Sequence, residues 1–305
     1  MATTMAAPVA NSVSLATKFL PYLDEVYKRN SLTALLDMAN EQVEFIGAQT
    51  AKVFKIDVDG LGNYSRNAGF VPGSADGTWE TLTLERDRGR SFSIDVMDND
   101  ETLGMMMAST LAQFERVSVV PELDAYRLAK YAANAGTKVS ATLSGSDNIA
   151  DLIQTAEATL DDKEVPYEGR ILFVNPTIYS YLKGDITRYT QNGEGNINTE
   201  VEMYDGMRII RVPSARFNTQ VTLASPTDAS SAGGFTTTGQ DINFMIIHPS
   251  AVVQVVKHVI PRVFSPEVNQ EADAWKINYR VYHDAFVLDN KTYGIYVHSK
   301  QASTT

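Results

Sequence analysis

One short stretch of this 305-residue chain sets basic residues ahead of acidic ones: Arg86, Arg88 and Arg90, then Asp95, Asp98, Asp100 and Glu101. An arginine stays protonated and presents a planar fork that matches a carboxylate, so such a set is suited to recognition rather than to bond chemistry. Either these are solvated faces of one subunit, or an Arg-bearing arm meets a carboxylate-bearing helix start on another copy and sets its register. The four histidines, His248, His258, His283 and His298, all fall in the last third without metal-ligand spacing. They are expected to be satisfied or exposed strand histidines, and no metal or cofactor is expected. The acidic pairs Asp57/Asp59 and Asp98/Asp100 suit a loop or a helix cap. The chain has no cysteine and no GxGxxG, GxxxxGK[ST] or GxSxG motif. Nothing in it requires catalysis.

The elements that must position these charges follow from periodicity. Residues 98–136 carry Leu103, Met107, Leu111, Phe114 and Val117 at spacings of four, four, three and three, the apolar stripe of a helix. Asp98, Asn99 or Asp100 can cap it, and Asn134 and Gly136 can stop it. Pro121 lacks an N–H and predicts a kink or break near Val120. Before this helix, KVFKID, TWETLTLERD and RSFSIDVMD alternate at period two around a Gly-, Asn- and Pro-rich turn. They predict nearly forty residues of hairpin with too few apolar residues for a core of its own. It either folds back on its own domain or is received by another copy.

Elsewhere the pattern predicts an extended arm over residues 1–20 and a helix from Ser31 to about Phe45. Further helices are predicted near Ile149 to Leu160, at PTIYSYLKG and at Ala251 to Val256. RILFVN, MRIIRVP and INFMIIHP read as strands, and three β-rich runs after residue 256 read as strands returning to the long helix. The fold class is therefore α+β.

Hydrophobic residues make up 44% of the chain and charged ones 21%, values of a folded soluble protein. No apolar run approaches the roughly 18 residues that cross a bilayer, and no secretory signal precedes the arm. The net charge of −11 argues against general nucleic-acid affinity. These features together read as a soluble, acidic, cytoplasmic protein without a membrane partner.

The order of parts, with KVFKIDVDGLGNYSR, GTWETLTLERDRGRSFSIDVMDNDET and VVPELDAYRLAKYA, resembles the major capsid proteins of tailed bacteriophages, of the Hong Kong ninety-seven-like shell fold. The resemblance runs from about Lys18 to His298. It implies an N-terminal arm at 1–50 and an extended loop at 51–97. It implies a peripheral domain of 98–136, the spine helix, with 257–305, and an axial domain at 137–256. The implied function is structural: pentamers and hexamers of the chain tile an icosahedral head around packaged double-stranded DNA, which is contacted only weakly. The implied partners are other copies, a separate scaffolding protein, a portal protein and a decoration protein. The implied place is the virion, assembled in the host cytoplasm. An encapsulin-like nanocompartment shell shares the fold. The rival from another class is an α+β hydrolase or metal-dependent enzyme using the histidines.

The family's best-known crosslink implies a lysine on the extended loop, attacking a neighbour's asparagine with a glutamate as base. Such a lysine must be neutral and near the loop tip. Here Lys52 and Lys55 stand at the hairpin root, and the next lysine is Lys130. The loop's other cations, Arg66, Arg86, Arg88 and Arg90, do not deprotonate. Mature particles boiled in denaturing detergent should therefore run as one band near 33.5 kDa. A ladder of covalent multimers would overturn this, with Lys52 or Lys55 as the first suspects.

Overall fold

A computed structural model describes residues 31–39, 44–45, 50–67, 69–96, 105–190, 201–225 and 232–301. The expected arm over residues 1–20 and the expected cap at Asp98, Asn99 or Asp100 lie outside the described residues. The chain forms two compact units, one of them Asn40–Glu85.

That smaller unit is an antiparallel sheet of β1 (Glu44–Phe45), β2 (Thr50–Val58) and β3 (Ala75–Thr83). Pairing runs from Thr50 opposite Thr83 to Val58 opposite Ala75. Strand alternation then sets Phe54, Ile56 and Val58 on one face, with Trp79 opposite Phe54. All four are exposed, and the Phe54 and Trp79 rings meet at 4.9 Å. The other face carries a 3.0 Å pair between Lys55 and Glu80, and sets Asp57 opposite Asp76. At the tip Ser65 bridges to Gly69, and Tyr64 lies 5.0 Å from Phe70.

The larger unit begins with β4 (Arg86–Asp95). The sequence pattern places these residues in the return limb of the hairpin. They pair instead with residues 274–283, so the hairpin closes at Thr83 rather than near residue 97. The long helix follows as α1 (Met105–Phe114), a π-helical turn at Glu115–Val119, and α2 (Val120–Ala133). Of the kink or break expected near Val120 there is no break, and the irregularity is the π turn just ahead of Pro121. The Val120 N–H bonds to the Glu115 carbonyl five residues back. This wider turn gives the proline ring the room that α-helical pitch denies it.

After β5 (Thr137–Ser140), α3 (Ile149–Asp161), β6 (Ile171–Val174) and α4 (Pro176–Thr190) come β7 (Met203–Tyr204) and β8 (Met207–Arg211). A small hairpin of β9 (Val221–Leu223) and β10 (Phe235–Thr237) precedes β11 (Ile242–Ile247). The chain ends with β12 (Val252–Val259), β13 (Arg262–Phe264), β14 (Ala274–Val287) and β15 (Ile295–Ser299). One sheet has the order β5-β15-β11-β6-β8-β7, and a second joins β12, β13 and β4 to the long β14.

One reading of the C-terminal third changes. Ala251–Val256 is not a helix: Val252, Val253, Val255 and Val256 are β-branched and pair with β14. The last strand enters the six-stranded sheet beside β11 and from there returns to the long helix, with Ile295 and Val297 in one core with Leu128, Tyr131 and Ala132. The helix expected from Ser31 to Phe45 is only a 3₁₀ segment, Ala34–Ala39, with β1 after it. The Asp124 carboxylate accepts the Leu32 and Thr33 amides and so takes their donors for a tertiary contact.

Strands β6 and β11 are buried at every position. Leu172, Val174, Phe244 and Ile246 face α3 and α4, through Ile153, Ala156, Leu160 and Leu182. Ile171, Phe173, Met245 and Ile247 face Leu128, Tyr131 and Ala132 of α2. Upstream, Leu111, Val119 and Leu123 pack on Val263, Ile277 and Tyr279 of the second sheet. The long helix is thus shared by two cores. Among the described residues no helix is long and apolar enough to cross a membrane.

Where α2 ends, Gly136 donates to the Thr292 carbonyl at 2.9 Å, and a Cβ there would stand 2.7 Å from the Thr292 and Tyr293 backbone. Gly136→Ala should therefore cost about 1–3 kcal/mol through overpacking. Urea unfolding of the two proteins measures this, and equal midpoints would refute the close approach.

Candidate functional site

Along β4 the residues alternate, and Arg86, Arg88, Arg90, Phe92 and Ile94 take the face that is turned inward. Ile94 and Phe92 belong to the core under α1 and α2, and Arg88 and Arg86 of the same face meet α2 one after the other. Glu122 and Tyr126 stand one helical turn apart on α2, which puts both side chains on the same side. Arg88 grips Glu122 through Nε at 2.7 Å and Nη2 at 3.2 Å. Its Nη1 donates to the Ala224 carbonyl at 2.6 Å and Nη2 to the Gly234 carbonyl at 3.3 Å. One guanidinium therefore ties β4, α2 and the base of the β9–β10 hairpin together.

Arg86 donates to the Tyr126 hydroxyl at 3.2 Å and lies over its ring. The Tyr126 hydroxyl in turn donates to Oδ1 of the buried Asp284 at 2.8 Å. Burial raises the Tyr126 pKa above its ordinary value, which keeps the phenol a donor. His283 packs edge-on against the same ring at 5.6 Å. Burial, helped by the charges of Arg127, Arg86 and Arg88, lowers its pKa to about 3, so it is a neutral ring at any ordinary pH. Asp95 is exposed on the outer face of β4, while Asp98, Asp100 and Glu101 lie outside the described residues. On that outer face Asp87 pairs with Arg280, 2.9 Å from its Nε.

A second polar centre anchors the segment ahead of the hairpin unit. Asp124 and Arg127 of α2 are both fully buried. Asp124 accepts from the Ser31 and Thr33 hydroxyls at 2.9 Å each, beside Arg216 at 3.6 Å. Arg127 donates to the Thr33 hydroxyl at 2.9 Å, and Gln254 donates to the Thr33 carbonyl at 3.2 Å. Buried charges persist when each finds an opposite charge and hydrogen bonds, as these do.

The sequence pattern singled out the arginines but not Glu122, Tyr126, Asp124 or Arg127. Their signal is in ELDAYR, where charged and polar residues interrupt an otherwise apolar helix face that tertiary packing closes over. The remaining histidines have separate surroundings. His248 contacts Ser250 and the Glu168 carbonyl, and His298 contacts Asn243 and stacks on Phe244. The side chain of His258 lies outside the described set. Among the described residues no group of three or more His, Asp or Glu side chains could hold a metal.

No protein-family profile matches this chain, and no curated protein matches it. Solved structures do. The mature capsid of bacteriophage PhiM1 aligns with a TM-score of 0.62 and 18% identity, over 83% of this chain and 82% of that one. The capsid of cyanophage P-SCSP1u gives 0.58 and 15%, with 85% of each chain covered. A virus-like particle from Pyrococcus furiosus gives 0.54 and 13%, over 93% of this chain and 99% of that one.

This is the Hong Kong ninety-seven-like capsid fold. In chain order the arginines lie on β4, between the β2–β3 hairpin and the long helix.

Removing the Arg88 side chain should loosen the β9–β10 hairpin first, because both of its carbonyl bonds end there. Arg88→Ala is expected to lower stability by about 1.5–3 kcal/mol, as for hydrogen bonds to a charged group. Hydrogen exchange over 221–225 and 232–237 should quicken more than over β6. Uniform protection across the two regions would show that the clamp is dispensable.

Proposed function

We propose that this chain is the major capsid protein of a tailed bacteriophage, a structural protein and not an enzyme, whose copies form the icosahedral head around double-stranded DNA. The observation that carries the reading is the extended loop. Its nine-residue strands present Phe54, Ile56, Val58 and Trp79 to solvent, with Val58 64% and Ile56 62% exposed. A contiguous apolar face on a two- or three-stranded ribbon marks an interaction surface, and such a ribbon is stable only against a partner. A second copy is that partner. The fold supports closed shells of pentamers and hexamers, in which every loop finds a neighbour.

The remaining parts follow the same reading. The acidic run Asp95, Asp98, Asp100 and Glu101, with Arg90, contributes inter-subunit contacts, and Arg86 and Arg88 do so through the strand and helix that they hold. Residues 137–256 act as the axial domain and 98–136 with 257–305 as the peripheral domain. A separate scaffolding protein guides assembly in the host cytoplasm, a portal protein closes one vertex, and a decoration protein reinforces the mature virion. The net charge of −11 keeps the inner wall from gripping DNA.

A second reading is a nanocompartment shell, favoured by the likeness to the virus-like particle over nearly the whole of both chains. Particle contents separate the two: nuclease-sensitive DNA after opening supports the phage head, and a protein cargo supports the compartment.

The test of shell formation is Trp79→Asp, combined with Phe54→Asp, on the exposed face. Electron microscopy should show wild-type shells and, for the variant, folded subunits that do not close. Normal shells from the double variant would overturn the role of the apolar face. Shell-free wild-type protein, in the presence of its scaffolding partner, would overturn the function.

A further inference from the structure

Two crossings run side by side between the six-stranded sheet and the second sheet. β11 passes into β12 through the 3₁₀ turn Pro249–Ala251, and β14 passes into β15 through the 3₁₀ turn Asp289–Gly294. Backbone bonds tie the two crossings together. The His248 amide donates to the Gly294 carbonyl at 2.9 Å, and the Leu288 amide donates to the Ala251 carbonyl at 3.0 Å. Gly294 is buried so close to the first turn that a Cβ on it would stand 2.8 Å from the Ala251 Cβ.

His248 caps the first turn, and its partners fix which ring nitrogen carries the hydrogen. Nε2 lies 3.1 Å from the Glu168 carbonyl, which can only accept, so Nε2 bears the hydrogen. Nδ1 lies 3.3 Å from the Ser250 amide, which can only donate, so Nδ1 bears the lone pair. The Ser250 hydroxyl, 2.7 Å from Nδ1, is then a second donor to the same atom. Two donors converge on a lone pair that exists only in the neutral ring. With a proton on Nδ1 the hydroxyl could turn round and accept. The amide could not, and donor would face donor at the head of the crossing.

We propose that His248 is an acid-sensitive latch on the paired crossings: the neutral ring holds the Pro249–Ala251 turn closed, and a proton on Nδ1 opens it. The charges nearest the half-buried ring are Arg170, ahead of β6, and Lys291, in the Asp289–Gly294 turn. Glu168 meets it through its backbone carbonyl. Burial is the largest influence and lowers the His248 pKa from its ordinary 6.5. The Glu168 carbonyl opposes this, and the two cations reinforce it. A histidine whose folded pKa is lowered gives stability that is complete above the ordinary value and is lost as pH falls through the lowered one. The crossings should therefore loosen as pH drops below 6.5. One proton separates the two states, so the opening constant should rise by up to about tenfold per pH unit.

Hydrogen exchange of the Ser250, Ala251 and Leu288 amides in the full unassembled chain, corrected for the intrinsic pH dependence of exchange, reads the latch. Protection should hold above pH 6.5 and fall as the pH is lowered. His248→Asn keeps a side-chain acceptor for the Ser250 amide but does not titrate, and should flatten the profile. Ser250→Ala removes a donor that only the neutral ring accepts, and should move the ring titration, followed by nitrogen NMR, to higher pH. The same spectra should show Nδ1 without a hydrogen at neutral pH. A flat wild-type profile would overturn the latch, and so would a wild-type slope in His248→Asn. A hydrogen on Nδ1 at neutral pH, or an unmoved titration in Ser250→Ala, would also overturn it. These measurements use single subunits, so their failure leaves the capsid reading untouched.

Discussion

Ten consecutive backbone pairs between β4 and β14, from Arg86 opposite His283 to Asp95 opposite Ala274, are the contact on which the larger unit depends. They bring the strand that precedes the long helix beside one that follows it by more than a hundred residues. The helix is then clasped between that sheet and the six-stranded one. Phe92, Phe114 and Tyr279 stack edge to face at 4.7 and 5.5 Å where strand, helix and strand meet. Closing so long a loop is entropically costly. The buried apolar clusters on both sides of the helix offset that cost. Because the arginines lie on the inward face of β4, the same pairing delivers them to the helix.

The β2–β3 hairpin obeys the opposite logic. Its strands satisfy each other's backbone groups but leave their largest side chains in water, which a self-sufficient domain avoids. Burial of apolar area drives both folding and association. A face that goes unused in the subunit is thus available to assembly, where many identical contacts reinforce one another around a closed surface.

Buried ionisable groups divide into two kinds. Asp124 and Arg127 are matched by opposite charge and by Ser31, Thr33 and Arg216, so their burial holds the approach to the loop in one arrangement. His283 and Glu157 are buried without such a match, and each shifts toward its neutral form. The first kind fixes geometry through charge, and the second is held in its neutral form by burial.

Local pattern was enough to determine much of this protein. The 3.6-residue stripe from Leu103 to Val117 marked the long helix, the period-two runs marked β2, β3 and β4 as strands, and the mixture marked an α+β fold. The thin apolar content of residues 51–97 marked a ribbon that must lie on something, its own domain or another copy. Side-chain periodicity carries these, because each depends only on neighbours along the chain. What pattern could not decide was partnership. RSFSID alternates equally well as a hairpin limb or as a sheet strand, and AVVQVV suits either a short helix or a strand until β14 lies beside it. The arginines were visible as charges, but Glu122, Ala224 and Gly234 became their acceptors only through the β4–β14 register. Tertiary structure decided these cases because hydrogen bonding and desolvation depend on which groups are brought together across space.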